Sequence, residues 1–144
     1  MVGRVAYDTN VLVYAEGVGE VSEDRIKRVT ALALIGREAA GDRRQFIPAQ
    51  CLIELHDVLV RKKSLSRPQA ATRITIWSSD FELIDTDAAV LTTALDLSAG
   101  HHLRIFDAIV LAAAASVGCD RLYTEDLQNG FVWRGVEIVN PFRD

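Results

Sequence analysis

The chain has 144 residues, 49% of them apolar and 25% charged, with a formal net charge of -4. That length suits one domain, expected over residues 1–144, and suffices to bury a core without staples. No window reaches the run of about 18 apolar residues that a membrane span needs, and the acidic balance argues weakly against coating nucleic acid by bulk attraction. Met1 leads straight into a strand-like stretch with no secretory pattern, which predicts a cytoplasmic protein. Cys51 and Cys119 sit beside apolar residues without paired spacing and read as reduced core thiols.

In chain order, Val5–Tyr7 reads as a first strand, with Asp8 at its carboxyl end and Val11–Ala15 opening the next buried element. Ser22–Ala40 reads as a helix with Ile26, Val29, Leu32, Ala33 and Ile35 on its apolar face and Gly41 as its stop. Phe46 and Ile47 form a short strand ended by Pro48. The helix Ala49–Val60 puts Leu52, Leu55, Val58 and Leu59 on one side, and Glu54 falls off that face. Pro68 opens a further helix, and FELID is a strand. Asp87–Ser98 is a helix with Val90, Leu91, Ala94 and Leu95 inward and Gly100 as its end. FDAIVLAAAASVG is a buried alanine-rich helix, and DRLYT and VEIVN are the last strands. This alternation predicts an α/β fold, a mainly parallel sheet with helices on both faces, whose ligands gather beyond the carboxyl ends of the strands.

Four acids share that edge. Asp8 follows the first strand, Glu54 lies early in the helix after the second, Asp107 opens the helix before the fourth, and Asp126 follows the fourth. Carboxylates gathered so closely repel, by roughly 4 kcal/mol per pair at about 4 Å and an effective dielectric constant of about 20. A hard divalent cation turns that cost into binding; Mg2+ and Mn2+ both prefer oxygen ligands, and the sequence does not choose between them or between one ion and two. Such a site can orient a phosphodiester and activate water, as metal-assisted nucleases require. Thr9, Asn10 and Thr124 can orient the ligating carboxylates or a bound water, while Glu125 is expected to turn elsewhere. Each residue also has a plainer reading: Asp8, Asn10 and Asp107 as helix caps, Glu54 as a solvated helix position, Asp126 as loop. Four such coincidences on one sheet edge are harder to accept than one site.

YDTNVLVYA, IELHDVL, FDAIVLAAAA, LYTEDLQNG and VEIVNPF, in that order and across nearly the whole chain, resemble a PIN-domain ribonuclease of the VapC toxin family of type II toxin–antitoxin systems. The resemblance implies a PIN-like three-layer fold and a metal-dependent endoribonuclease that cleaves RNA. It places Asp8, Glu54, Asp107 and Asp126 around Mg2+ or Mn2+, and matches Asn10 and Thr124 to the family's accompanying polar positions. It further implies a small antitoxin whose carboxyl-terminal segment occupies the active-site groove, and a toxin homodimer. RNA rather than DNA rests mainly on this likeness. The segment AGHHLRIFDA is less usual, and His101 and His102 raise the question of altered substrate or partner contacts.

Other phosphate chemistries fit less well. A receiver-like domain would need paired early acids and a late lysine, a dehalogenase-like phosphatase would need Asp in place of Asn10, and a dinucleotide fold lacks its glycine-rich turn. A PIN-like scaffold without turnover is the non-enzyme alternative. His56 reads as a helix residue rather than a general base. Arg61, Lys62, Lys63 and Arg67 can serve either a phosphate backbone or a helix end, and Trp77 and Trp133 read as packing residues.

Overall fold

The computed structural model describes residues 3–19 and 21–143. The elements run β1 (Arg4–Tyr7), α1 (Thr9–Ala15), α2 (Ser22–Ala40), β2 (Arg44–Pro48), α3 (Ala49–Arg61), α4 (Arg67–Asp80), β3 (Glu82–Ile84), α5 (Ala88–His101), α6 (Ile105–Ser116), β4 (Arg121–Tyr123), β5 (Val132–Trp133) and β6 (Val136–Val139). The strands form one sheet in the order β3-β2-β1-β4-β6-β5, parallel throughout except for β5. From β1 the chain adds strands outward to β3, then crosses back to lay β4 on the other side of β1. Because such crossovers are right-handed, the reversal puts α5 and α6 on the face opposite the earlier helices. α1 packs on α2 and α3, α3 on α4, and α5 on α6.

The reversal leaves a crevice between the carboxyl ends of β1 and β4, the place where open parallel sheets take their ligands. Register fixes what stands there. Tyr7 pairs with Tyr123, so Asp8 and Thr124 follow side by side, and the Asp8 amide donates to the Tyr123 carbonyl at 3.0 Å. The core beneath is close-packed: β1 contributes Val5, Ala6 and Tyr7, and α6 buries Ala108 and Ala112–Ala114. Small residues on α6 let its backbone approach the sheet, which brings its first turn, with Asp107, to the crevice.

Local signals explain most boundaries. Asp8 caps α1, Asp87 caps α5, and α4 opens with a reciprocal Ser66–Gln69 capping box and Pro68 in its first turn; such caps are worth about 1 kcal/mol each. Other expectations need correction. On α2 the buried positions are Ala31, Leu34 and Glu38, while Ile26 and Val29 are about two-thirds exposed at 66% and 68% and Leu32 is exposed as well. Most of the expected apolar face of α2 thus looks outward, and of its five residues Ile35 alone packs, half-buried, against the core. Glu38 can be inward because the Tyr123 hydroxyl donates to it at 2.6 Å and Arg43 lies 3.0 Å away. On α5, Leu91 and Leu95 are exposed and Leu97 takes the buried place. That helix also runs through Gly100 to His101 and stops at His102, whose φ of 56° turns the chain left-handed. The strand β5 was not expected; it joins β6 through the two-residue Arg134–Gly135 turn, both with positive φ, as a tight hairpin demands.

Candidate active site

Asp8, Asp107 and Asp126 each bring a carboxylate oxygen to within 4.8 Å of the others. Asp8 is buried, Asp107 half-buried and Asp126 exposed, so the group grades from core to solvent. Glu54 lies outside that triplet but lines the same cleft of about 560 Å³.

The polar residues around the acids hold them in place. Asp8 Oδ1 accepts from the Thr9 amide at 2.7 Å, and the Cys51 thiol approaches it at 3.6 Å; Oδ2 accepts from the Thr124 hydroxyl at 2.7 Å. Having donated its only proton, that hydroxyl oxygen receives the Asp126 amide at 3.0 Å and the Asn10 side-chain amide at 3.1 Å. Asn10 also donates to Asp126 Oδ2 at 3.2 Å and accepts from the Glu125 amide at 3.3 Å. One threonine and one asparagine therefore lock the loop after β4 to the start of α1. Across the cleft, Thr9 donates its hydroxyl to Glu54 Oε2 at 2.6 Å, and Gln50, one turn earlier on α3, donates to Oε1 at 3.2 Å.

Burial pushes Asp8 up from the ordinary aspartate value to about 6; the Thr124 and Thr9 hydrogen bonds oppose the rise, and the charges of Asp126 and Asp107 add to it. Asp107 is also raised, by burial first and then by Asp126 and Glu54, with Arg104 pulling the other way. Acids that resist ionising together while held at close range are what a cation would relieve. The donor set, three carboxylates and no nitrogen or sulfur ligand, suits a hard divalent cation such as Mg2+ or Mn2+.

The other singled-out residues separate clearly. Glu125 turns away, accepting from the Tyr14 hydroxyl at 2.7 Å and from Lys27 at 3.0 Å. His101 lies against the Phe131 ring, with centroids 5.5 Å apart, and no histidine lines the cleft among the described residues. The basic run divides: Arg61 lines the acidic cleft, Lys62 an adjoining groove, and Lys63 donates to the Glu16 carbonyl at 2.6 Å. Trp77 is in the core and Trp133 half-buried under the Arg134 guanidinium. Cys51 and Cys119 are buried free thiols, as their neighbours predicted. Sequence reasoning missed Gln50, Arg104 and Phe106 as cleft residues. Gln50 had a readable signal, since it stands four residues before Glu54 and so on the same helix face.

The sequence profile of the PIN domain matches residues 5–129. Among solved structures, the chain resembles a toxin–antitoxin complex from Klebsiella pneumoniae (TM-score 0.65, 20% identity, 95% of this chain and 97% of that one). It resembles equally the DNA-bound VapBC of Salmonella typhimurium (TM-score 0.66, 18% identity, 96% and 97%). A third likeness is to VapC20 of Mycobacterium tuberculosis, a sarcin–ricin-loop-cleaving toxin (TM-score 0.66, 17% identity, 85% and 91%). No curated protein sequence matches the chain significantly. Identities this low speak to the fold, but the profile runs from the first strand past Asp126, and the chain belongs to the PIN-domain family, with a fold resembling that of VapC toxins.

Proposed function

We propose that this protein is a Mg2+- or Mn2+-dependent endoribonuclease of the VapC type. The observation that carries the reading is the convergence of Asp8, Asp107 and Asp126 beside Glu54 at the β1–β4 crevice. Asp8, Asp107 and Asp126 would hold the cation, with Glu54 beside them, and the bound cation would supply charge neutralisation and water activation for phosphodiester hydrolysis. The chain's own residues do the positioning. Thr124 and the Thr9 amide occupy one lone pair on each Asp8 oxygen and fix the carboxylate plane. Asn10 fixes Asp126. Thr9 and Gln50 fix Glu54, leaving lone pairs on both its oxygens to hold a water at the cleft. In hydrolysis the water oxygen bonds to phosphorus as one P–O bond to a ribose oxygen breaks; the water's proton passes to a carboxylate or to solvent, and the departing ribose oxygen takes up a proton from solvent.

The same reading makes a small antitoxin the natural inhibitor and a second copy of the chain a natural partner. It rests on the resemblance and on the likeness to a structure described as a toxin–antitoxin complex. The outward stripe of Ile26, Val29 and Leu32 supplies apolar surface for such contacts. A cytoplasmic site of action follows from an intracellular RNA substrate; no helix among the described residues is long and apolar enough to cross a membrane.

The test is cleavage of a panel of transfer, ribosomal and messenger RNAs by antitoxin-free protein. Scission with Mg2+ or Mn2+ that stops in excess chelator is expected. A panel left intact under saturating metal would replace the nuclease with a binding scaffold.

A further inference from the structure

Phe106 immediately precedes Asp107 on the first turn of α6, yet it is 50% exposed on an otherwise strongly buried helix. It lines the same cleft as the acids, together with Arg104 and Arg61. A large apolar ring left in the wall of a charged cleft gains nothing from water. It is the one aromatic ring lining the cleft among the described residues, and a ring can stack on another ring.

The cations flank it. Arg104 stands at the amino end of α6, exposed, and forms no ion pair among the described residues. Arg61 lies on the facing helix, seven residues and therefore about 10 Å beyond Glu54; among the described residues its one ion pair is with the exposed Asp57, at 2.8 Å. The cleft thus sets one aromatic ring and two guanidinium groups beside the carboxylates. A single strand of nucleic acid, with its bases and phosphates, presents the partners for both kinds of group.

Building on the nuclease reading above, we propose that Phe106 and Arg104 form a nucleotide subsite beside the scissile phosphate, Phe106 stacking on an unpaired base and Arg104 holding the adjoining phosphate, with Arg61 contacting the strand further along. The substrate class is single-stranded or looped-out RNA, because a base inside a duplex has no free face to present. Stacking is tolerant of base identity, so the subsite fixes the register of the strand more than its sequence.

The test uses the full chain and a pool of short single-stranded RNA oligonucleotides, from which a cleaved sequence is taken forward. Cleavage is measured with Mg2+, and affinity by fluorescence anisotropy with Ca2+ in its place. Phe106→Ala is expected to raise both KM and Kd by about 10-fold, with a smaller effect on kcat, and Phe106→Trp to restore binding. An oligonucleotide lacking the base at one position beside the cut should bind the unaltered protein about 10-fold more weakly and Phe106→Ala no more weakly than the intact strand does. Arg104→Gln should weaken all sequences alike and lower the salt slope by about one ion. Thermal unfolding of each variant confirms that the fold is retained. Unchanged KM and Kd in Phe106→Ala, or base-removal losses that add in full to its own, would overturn the subsite while leaving cleavage by the unaltered protein to uphold the nuclease. Weakened self-association with unchanged RNA affinity would assign Phe106 to a protein interface instead. An unaltered protein that neither binds nor cuts any oligonucleotide defeats both readings.

Discussion

Asp8 and Glu16 stand at the two ends of the short helix α1, and both are almost fully buried, at 4% and 6% exposure. Their surroundings have opposite effects. Glu16 accepts from Arg73 Nη2 and Trp77 Nε1, each at 2.7 Å, and from Arg73 Nε at 3.0 Å. Burial would push its carboxyl up, but those hydrogen bonds and the Arg73 and Lys63 charges outweigh it and hold Glu16 below the usual glutamate range. Asp8 has hydrogen bonds but no cation, and faces two further aspartates. One carboxylate is a finished ion pair that ties α1 to α4. The other is an unfinished one, poised for a charge the polypeptide does not supply.

That contrast fixes the sign of the pH dependence. Asp8 binds its proton more tightly folded than unfolded, so its contribution to metal-free stability is complete below the ordinary value of 3.8 and is lost as pH rises through about 6. The loss is about 3 kcal/mol across that window. Glu16 runs the other way: its contribution is present above the ordinary 4.5 and fades as pH falls through its lower folded value. Denaturant unfolding in chelator between about pH 4 and about pH 7 should show the Asp8 loss, and Mg2+ should reverse it at the upper end. Metal-free stability that climbs through this window would mean that Asp8 is satisfied after all.

Substitution separates the acidic cluster around Asp8 from the Glu16 ion pair next. Asp107→Asn keeps side-chain size and removes one of the repelling charges. Single-turnover cleavage should fall at least about 100-fold, near 2.7 kcal/mol of transition-state stabilisation, while metal-free stability stays level or rises. Glu16→Gln should do the reverse, costing about 2 kcal/mol of stability with cleavage by the folded fraction little changed. That figure lies below the value for a fully buried pair because the Arg73 side chain is 42% exposed. Equal activity losses in the two variants would dissolve the distinction between a structural carboxylate and a functional one.

The acids were legible because a parallel sheet sorts residues by their place relative to strand ends. The order of strands and helices alone assigns Asp8, Glu54, Asp107 and Asp126 to one edge, and Thr124 with them; all four acids line one cleft, with Glu54 outside the close triplet. Glu16 was not legible: its partners Arg73 and Trp77 lie 57 and 61 residues away, and nothing local marks it as buried. The outward face of α2 failed for the same reason. Periodicity shows that Ile26, Val29 and Leu32 share a stripe, but which stripe meets the core depends on Tyr123 and Arg43 accommodating Glu38. Arg104 and Phe106 were overlooked beside the conspicuous Asp107, since exposure of an aromatic residue in a buried helix is a property of the assembled fold.

The sheet ends in very short strands, three residues in β3 on one side and two in β5 on the other, the latter folded back by its Arg134–Gly135 turn. So little unpaired backbone remains at either margin that another chain finds no ladder to extend. Recognition by strand addition is thereby disfavoured, which leaves helix faces and side chains as the surfaces suited to association. A molecule whose sheet cannot be templated in this way is protected against edge-to-edge aggregation even while its outward α2 stripe lies bare.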